Sequence, residues 1–493
     1  MKNKFLKITA FIVAVSITFV CAAQILDFKY LDSTFKVDSF YELEDNTVDV
    51  LVIGSSHAYQ GINTAVLWEE YGYSVFDLCG AAQQIWNTYY YLEEALKTQT
   101  PKVILFDTYY IHASVDYGET SYAIKNTYGL KWSETKKNAI DVSFDKETAG
   151  NQYFYSILQY HTRYSDLSKT DFYPYQANKE MYENHKGFYC YFRNEPVKER
   201  DLTGVDYYNP MTEKVEYYYR KIFDLAKEKN IPIIPMAIPF NAENYHQGFF
   251  RLAEYIAEYD YNMPFFNFLT EYKTALGLDY TQDFADAQHL NHKGNTKLSR
   301  FLGDYLKTKY NIPDRRGDAK YDSWKKDAEV YYKQLENHEA TLINNLSEYK
   351  NIVKNERYTV VITSSFRNYD DIHSEALNKT EKFCKDLKIP ESEYKQGGMW
   401  IFEGGKKVFY DDCSEENFRK MVSLDRYNAI EIRKTEKTYN AETGETFLVN
   451  SVMSGKKDIT KAYNGFNIYV YDNFTKSQID MLAVAYNSGD IKR

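Results

Sequence analysis

From residue 47 onward the chain alternates short apolar runs with longer amphipathic ones. "VDVLVIG" (48 to 54) is rich in Val and Ile and predicts a buried strand. Residues 61 to 71 carry helical spacing, and "YSVFDLCG" (73 to 80) returns to a strand. "IWNTYYYLEEALKTQ" (85 to 99) is amphipathic at helical period, and "PKVILFDTY" (101 to 109) is a third buried strand. This βαβαβ order predicts a parallel sheet with helices on both faces, because a right-handed crossover lays each helix against the sheet. The rhythm stops between residues 111 and about 210, a Tyr-rich polar stretch read as an insertion capping the sheet's loop edge. It resumes with a helix at 212 to 230, a strand at 231 to 240, a helix at 248 to 259 and a short strand at 263 to 269. A loop, "DFADAQHLNHKG" (283 to 294), and a helix at 295 to 310 close the domain.

Beyond it, "PDRRGDAK" (313 to 320) reads as a polar linker, and 321 to 355 as one long, charged, solvated helix. From 357 to 493, strand-like runs separated by Gly and Asn turns predict a smaller C-terminal α+β or β-rich domain. The domain plan is therefore an N-terminal segment (1 to 27), an α/β domain with its insertion (28 to 312), a linker and helix (313 to 356), and the C-terminal domain. A length of 493 residues fits several domains.

The N-terminus changes the picture of where this chain works. Lys2, Lys4 and Lys7 precede "ITAFIVAVSITFVCAAQIL" (8 to 26), which carries no charge. A bilayer needs roughly 17 to 25 apolar residues, so the segment is long enough to span one. The basic flank favours an anchor with the body outside the cytoplasm. A cleaved signal peptide is the alternative, with the body exported either way. A net charge of -10 argues against nucleic acid as a partner, since phosphate binding wants a basic surface. Five cysteines are too few for a disulfide scaffold in this length; Cys384 and Cys413 are the one candidate pair, and Cys79 and Cys190 read as buried thiols. No His/Cys cluster has zinc-ligand spacing, so no metal is expected. The 49 Tyr and 30 Phe are spread too broadly to mark a sugar platform by themselves.

Chemistry concentrates at two points. Ligands of open parallel sheets bind at the carboxyl ends of strands, and the first strand ends in Gly54-Ser55-Ser56-His57. A serine there exposes its hydroxyl but needs a base. Asp286-Ala-Gln-His289 lies in the domain's last loop, where an Asp three residues before a His can hold the imidazole while its other nitrogen faces a hydroxyl. Either half alone is weak; together they point to acyl transfer.

The pair resembles the SGNH (GDSL-like) hydrolase superfamily, with Gly54-Ser55-Ser56 on its first block and Asp286-Ala-Gln-His289 on its last. The resemblance covers about residues 47 to 310 and implies a flavodoxin-like three-layer sandwich. It implies Ser56 as nucleophile, His289 as base, Asp286 as orienting acid, and no metal or organic cofactor. It also implies oxyanion N–H groups from Ser56 and from Gly80 in "DLCGAAQQ". The third block, Gly-x-Asn-Asp, is absent, and "FDTYY" (106 to 110) stands in its place. Either the Ser56 and Gly80 N–H groups suffice, or Asn87 or a residue of the insertion contributes a further donor. The anchor, "GSSH", "GAAQQIWNTYYYLEEAL" and "HLNHKGNTKLSRFL" resemble the exported branch that includes the D-alanyl-lipoteichoic acid transfer protein and alginate-type O-acetyltransferases. That branch implies small acyl groups on a cell-surface glycan or teichoic-acid-like polymer, with a membrane-bound O-acyltransferase as partner.

Other residues have plainer readings. His57 reads as a structural or substrate-contact residue, and Asp283 as a less well spaced orienter than Asp286. His161 and Arg163, in "YHTRYSDL", are candidate contacts to an anionic polymer; a surface salt bridge is the ordinary fate of such an arginine. "YTVVITSSF", "EGGKKVFYDD" and "NGFNIYVYDN" resemble, weakly, the interleukin-like EMT inducer domain, which implies a glycan-binding or protein-contact module. Two rivals to acyl transfer remain: a plain carbohydrate esterase or deacetylase, and a non-catalytic envelope assembly or glycan-binding protein on the same fold. The separation of Ser56 Oγ from His289 Nε2 discriminates enzyme from relic, since proton transfer needs roughly 3 Å.

Overall fold

The structure, a computed structural model, describes residues 2–26, 31–154, 161–167, 169–172, 185–366, 374–440, 444–485 and 488–493. The chain divides into two compact units, Met1–Tyr331 and Tyr332–Arg493.

The first unit is built on five parallel strands: β1 (Val50–Gly54), β2 (Val75–Cys79), β3 (Val103–Asp107), β4 (Ile233–Ala237) and β5 (Phe266–Asn267). Their spatial order is β2-β1-β3-β4-β5, so β1 sits inside the sheet with its carboxyl end between those of β2 and β3. Every residue of β1 to β4 is buried, as a sheet covered on both faces requires. Successive side chains go to opposite faces. Val50, Val52, Leu105 and Met236 pack with Leu298, Leu302 and Leu306 of the closing helix, His292–Lys309. On the other face Phe106 meets Tyr219 and Phe223 of the helix Glu213–Glu228.

Helix boundaries follow local chemistry. The helical stretch expected at 61 to 71 is two helices, Ser56–Gly61 and Thr64–Tyr71. Asn63 breaks them, because its side chain accepts from Ala65 N and Val66 N and caps the second. The helix read from 248 starts earlier, at Asn244, and runs to Tyr255 before a π turn, Ile256–Asp260. In the insertion the described residues include helices Thr120–Tyr128, Glu134–Ser143 and Lys146–Phe154.

The run from 321 to 355 departs from expectation. It forms two helices, Asp322–Thr341 and Leu346–Val353, rather than one, and it is not a solvated spacer. Trp324 and Tyr331 are buried in the first helix, and Leu346, Tyr349 and Val353 in the second. Asn345 starts the second helix by accepting from Glu348 N.

The second unit is antiparallel. Its larger sheet joins β6 (Tyr358–Ser365), β7 (Gly398–Glu403), β8 (Lys406–Asp411), β13 (Gly465–Asp472), β14 (Ser477–Ala485) and β15 (Ile491–Lys492); β9 (Arg419–Ser423), β10 (Ala429–Asn440), β11 (Glu445–Ser454) and β12 (Lys457–Asp458) form the smaller one. Alternation along β6 sends Val360 and Ile362 to a core with Tyr349, Val353 and Phe383, and Val361 to a core with Ile430, Ile432 and Val452 of the smaller sheet. This explains why Cys384 and Cys413 do not pair. Cys384 belongs to the first of these cores and Cys413 to the second, and both thiols are free. Cys79 is buried and Cys190 partly so, and both are also free.

The N-terminal helix is Lys2–Leu26; its stretch Lys4–Leu26, of mean hydropathy 2.2, is long and apolar enough to cross a membrane. A signal sequence and an anchor share that property.

Candidate active site

The carboxyl end of β1 is shaped by a close approach to β3. Gly54 has φ +142, and a Cβ there would stand 2.6 Å from Asp107 Cβ, so only glycine fits. Ser55 follows and is buried. Its N–H and its hydroxyl both donate to Asp107 Oδ2, at 3.0 and 2.7 Å, and its Oγ accepts the His57 N–H at 3.3 Å. Ser55 is therefore a cap and a latch. With its hydroxyl committed to a carboxylate, it has no proton to give elsewhere. Asp107 also takes the Tyr109 N–H at 3.1 Å. Burial pushes the Asp107 carboxyl up to about 6, against the pull of the Ser55 and Tyr109 donors.

Ser56 opens the next helix with its hydroxyl turned the other way. Its Oγ lies 3.0 Å from His289 Nε2, and His289 Nδ1 lies 2.9 Å from Asp286 Oδ1. A carboxylate can only accept, so Nδ1 carries the proton and Nε2 turns its lone pair to the serine hydroxyl. The loop holding the pair is tightly tied. Ala285 N donates to His289 O at 2.8 Å, and Gln288 N donates to Asp286 Oδ1 at 2.9 Å. Asn291 caps the closing helix while its Nδ2 holds the carbonyls of Gln282 and Phe284. Asp283 is occupied differently: it accepts from Lys297 Nζ and the Asp279 N–H, both at 2.6 Å.

One participant has no motif in the sequence. Arg193, from the insertion, donates through its Nη2 to Asp286 Oδ2 and through Nε to Ala285 O at 2.8 Å. Burial alone would raise the Asp286 carboxyl, but the Gln288 N–H, the imidazole and Arg193 outweigh it and hold the group below its ordinary value. Burial also lowers His289, with Arg193 adding to it and Asp286 opposing.

His57 makes no side-chain hydrogen bond to Ser56. Its ring stacks on Tyr109 at 3.6 Å between centroids and stands 5.2 Å from the His289 ring. Its Nδ1 is 3.4 Å from Ser55 Oγ, whose proton goes to Asp107, so Nδ1 is the donor in that contact. Nε2 is left a buried acceptor with no hydrogen-bond partner among the described residues; the Gln288 amide approaches without bonding geometry. Burial, with His289 and His112 nearby, keeps the ring neutral well below its usual range.

The remaining sequence candidates are placed elsewhere or otherwise engaged. The Gly80 N–H donates to Gly54 O at 3.3 Å, and a Cβ at Gly80 would collide with Asn126 Oδ1 of the insertion. Ser56 N–H has no partner among the described residues. Asn87 Nδ2 is spent on Ser143 Oγ at 2.8 Å. Arg163 pairs with Asp171 at 2.6 Å and donates to Leu26 O at 3.0 Å. The side chain of His161 lies outside the described ones. Among the described residues no group of three His, Cys, Asp or Glu could hold a metal ion.

No protein-family model matches the chain, and no curated protein matches it. Among solved structures the chain is similar to that of a "putative acylhydrolase" from Bacteroides fragilis, at 11% identity and a TM-score of 0.27, over 57% of this chain and 99% of that one.

Proposed function

We propose that the chain is a serine-dependent acyl-ester enzyme of SGNH type. The observation that carries the proposal is the relay from Ser56 Oγ to His289 Nε2 at 3.0 Å and from His289 Nδ1 to Asp286 at 2.9 Å. Ser56 Oγ attacks the acyl carbonyl while its proton passes to His289 Nε2. The resulting oxyanion is met by the Ser56 N–H, which is free to donate, and Gly80 N–H joins it by turning from the long bond to Gly54 O. Collapse expels the alcohol, which takes the proton from His289, and leaves the acyl group on Ser56. An incoming hydroxyl then loses its proton to His289 and carries the acyl group away, while His289 returns that proton to the departing Ser56 Oγ. Asp286, steadied by Arg193, keeps the imidazole oriented and balances its transient charge. His57 Nε2 offers an acceptor to a substrate hydroxyl or amide N–H.

The apolar N-terminal helix supports a membrane-anchored, extracytoplasmic body. In that setting the acyl acceptor is a cell-surface polysaccharide or a teichoic-acid-like polymer, with a membrane-bound O-acyltransferase supplying acyl groups. A second reading, a deacetylating esterase, is favoured by one observation: the His289 and Asp286 side chains are 18% and 22% exposed, so water reaches the relay. The test is labelling with a fluorophosphonate, mapped by peptide mass spectrometry, together with turnover of 4-nitrophenyl acetate. The label is expected on Ser56. Full turnover by a folded Ser56→Ala variant would sink the proposal. Comparing ester content of the surface polymer in cells carrying wild-type or Ser56→Ala protein separates transfer from hydrolysis: the variant lowers it for a transferase and raises it for an esterase.

A further inference from the structure

A cavity of about 340 Å³ opens in the first unit, and none of the relay residues lines it. One wall is a single helical face. Gln247, Arg251, Glu254 and Glu258 follow each other at spacings of three and four along Asn244–Tyr255 and its π turn, and so share one side. The facing wall includes Val205 and Tyr208 from the end of the insertion and Glu271 from the turn after β5.

Three features of this cavity ask for a ligand of one kind. Glu254, Glu258 and Glu271 gather around it, and none of them forms an ion pair among the described residues. Arg251, the one cation in the lining, lies over the Tyr208 ring and gives an N–H to Val205 O. The carboxylates therefore outnumber their compensation. Burial and the mutual repulsion of the three acids push the Glu254 carboxyl up to about 7. Second, Gln247 is 2% exposed, lines the cavity, and has its Oε1 buried with no hydrogen-bond partner among the described residues. A buried amide oxygen left unpaired is costly. Third, the mouth is aromatic. Tyr255 stacks on Tyr259 at 4.8 Å and meets Tyr208 edge-on at 6.0 Å, and all three rings are exposed. Tyrosine faces attract cations as well as apolar surface.

Acceptors at the base, surplus negative charge on the walls and π faces at the rim describe a site for a positively charged donor. A bare metal ion does not suit it, since these carboxylates are not grouped closely enough to ligate one. We propose that this cavity binds an organic ammonium group, the protonated amine of an amino sugar or of a molecule of similar size. The N–H donors would reach Gln247 Oε1 and the carboxylates, with the tyrosine rings flanking the ligand. The acyl chemistry is not required for this. The helix that lines the cavity also carries His246, one residue before Gln247, whose ring contacts His112 and Phe240 beside His57. Helix and relay are thus neighbours, but the binding stands without the relay.

Calorimetric titration of the full chain in detergent micelles with D-glucosamine at neutral pH, beside D-glucose and calcium chloride, tests the proposal. Glucosamine is expected to bind saturably and about tenfold or more tighter than glucose, the worth of one charge interaction near 1.4 kcal/mol. The combined Glu258→Gln and Glu271→Gln variant should lose roughly that tenfold, with its circular dichroism and melting unchanged. Gln247→Leu should weaken binding as well. Ser56→Ala should bind as the wild type does, which keeps failure here distinct from failure of the esterase reading. Equal affinity for glucose, undiminished binding in the double Gln variant, displacement of glucosamine by calcium, or no saturable heat with the wild-type chain would each overturn the proposal.

Discussion

Two adjacent serines end the first strand, and replacing each in turn should have opposite effects. Ser55→Ala removes the Oγ that accepts the His57 N–H and the hydroxyl that donates to Asp107 at 2.7 Å. Loss of a capping oxygen costs about 0.5–2 kcal/mol, and loss of a hydrogen bond to a buried carboxylate about 1.5–3 kcal/mol. The two share one oxygen and do not add fully, so about 2–4 kcal/mol is expected, or roughly a 30- to 900-fold rise in the opening equilibrium. The chain has two units and need not melt in one step. Hydrogen exchange at the amides of β1 and β3 is therefore the better reading than a single melting curve. Ser56→Ala removes only a partly exposed hydroxyl bonded to His289, so exchange at the same amides should change by about 0.5 kcal/mol or less. Its turnover of 4-nitrophenyl acetate should fall about a thousandfold or more. Ser55→Ala, where folded, keeps a measurable fraction. The reasoning is refuted if Ser55→Ala abolishes turnover while exchange stays as in the wild type, or if Ser56→Ala retains turnover.

Other consequences can be measured in the same assay. His289 is held below its ordinary pKa, so if it takes the Ser56 proton as proposed, turnover should rise with pH and reach its plateau with a midpoint below 6.5. Arg193→Gln removes a charge that lowers both His289 and Asp286; the acid limb should move to higher pH, and an unmoved or lowered midpoint would count against the role given to Arg193. Gly54→Ala drives a methyl to within 2.6 Å of Asp107 Cβ from a backbone angle of +142°, and should cost about 2–4 kcal/mol by hydrogen exchange together with most of the activity. Asp107, raised from 3.8 to about 6 in the fold, contributes stability that is full below about pH 4 and is lost as pH rises through about 6. Asp107→Asn should flatten the pH dependence of exchange in that window, and an unchanged slope would assign it to other groups.

Much of this architecture was legible because it is local. The apolar runs at 48 to 54, 73 to 80, 101 to 109 and 231 to 240 are short, Val- and Ile-rich and separated by helical spacings, and each became a strand of the parallel sheet. Ser56, Asp286 and His289 stood out because one short motif falls at a strand end and the other in the domain's last loop. What could not be read is contact through space. Ser55 looks as reactive as Ser56 until Asp107, 52 residues on, is seen to take its proton. Arg193 sits 93 residues before Asp286 in a stretch with no periodicity, and nothing near it marks an acid's partner. The charged run from 321 looked solvated because its apolar positions are thinned by Lys and Glu; yet Trp324 reaches in to donate its indole N–H to Val75 O at the start of β2. Asn345 is a helix start that composition alone does not separate from the polar residues around it.

The hydroxyl and the imidazole of the relay are 233 residues apart in the chain. A polypeptide that leaves its site of synthesis, or crosses a membrane, N-terminus first therefore presents Ser56 long before His289 exists beside it. Until β5 and the closing helix have docked, that serine is an ordinary alcohol. Order of emergence thus works as a time lock: the relay cannot assemble until residue 289 has emerged and its loop has docked, and a chain truncated before that residue lacks it.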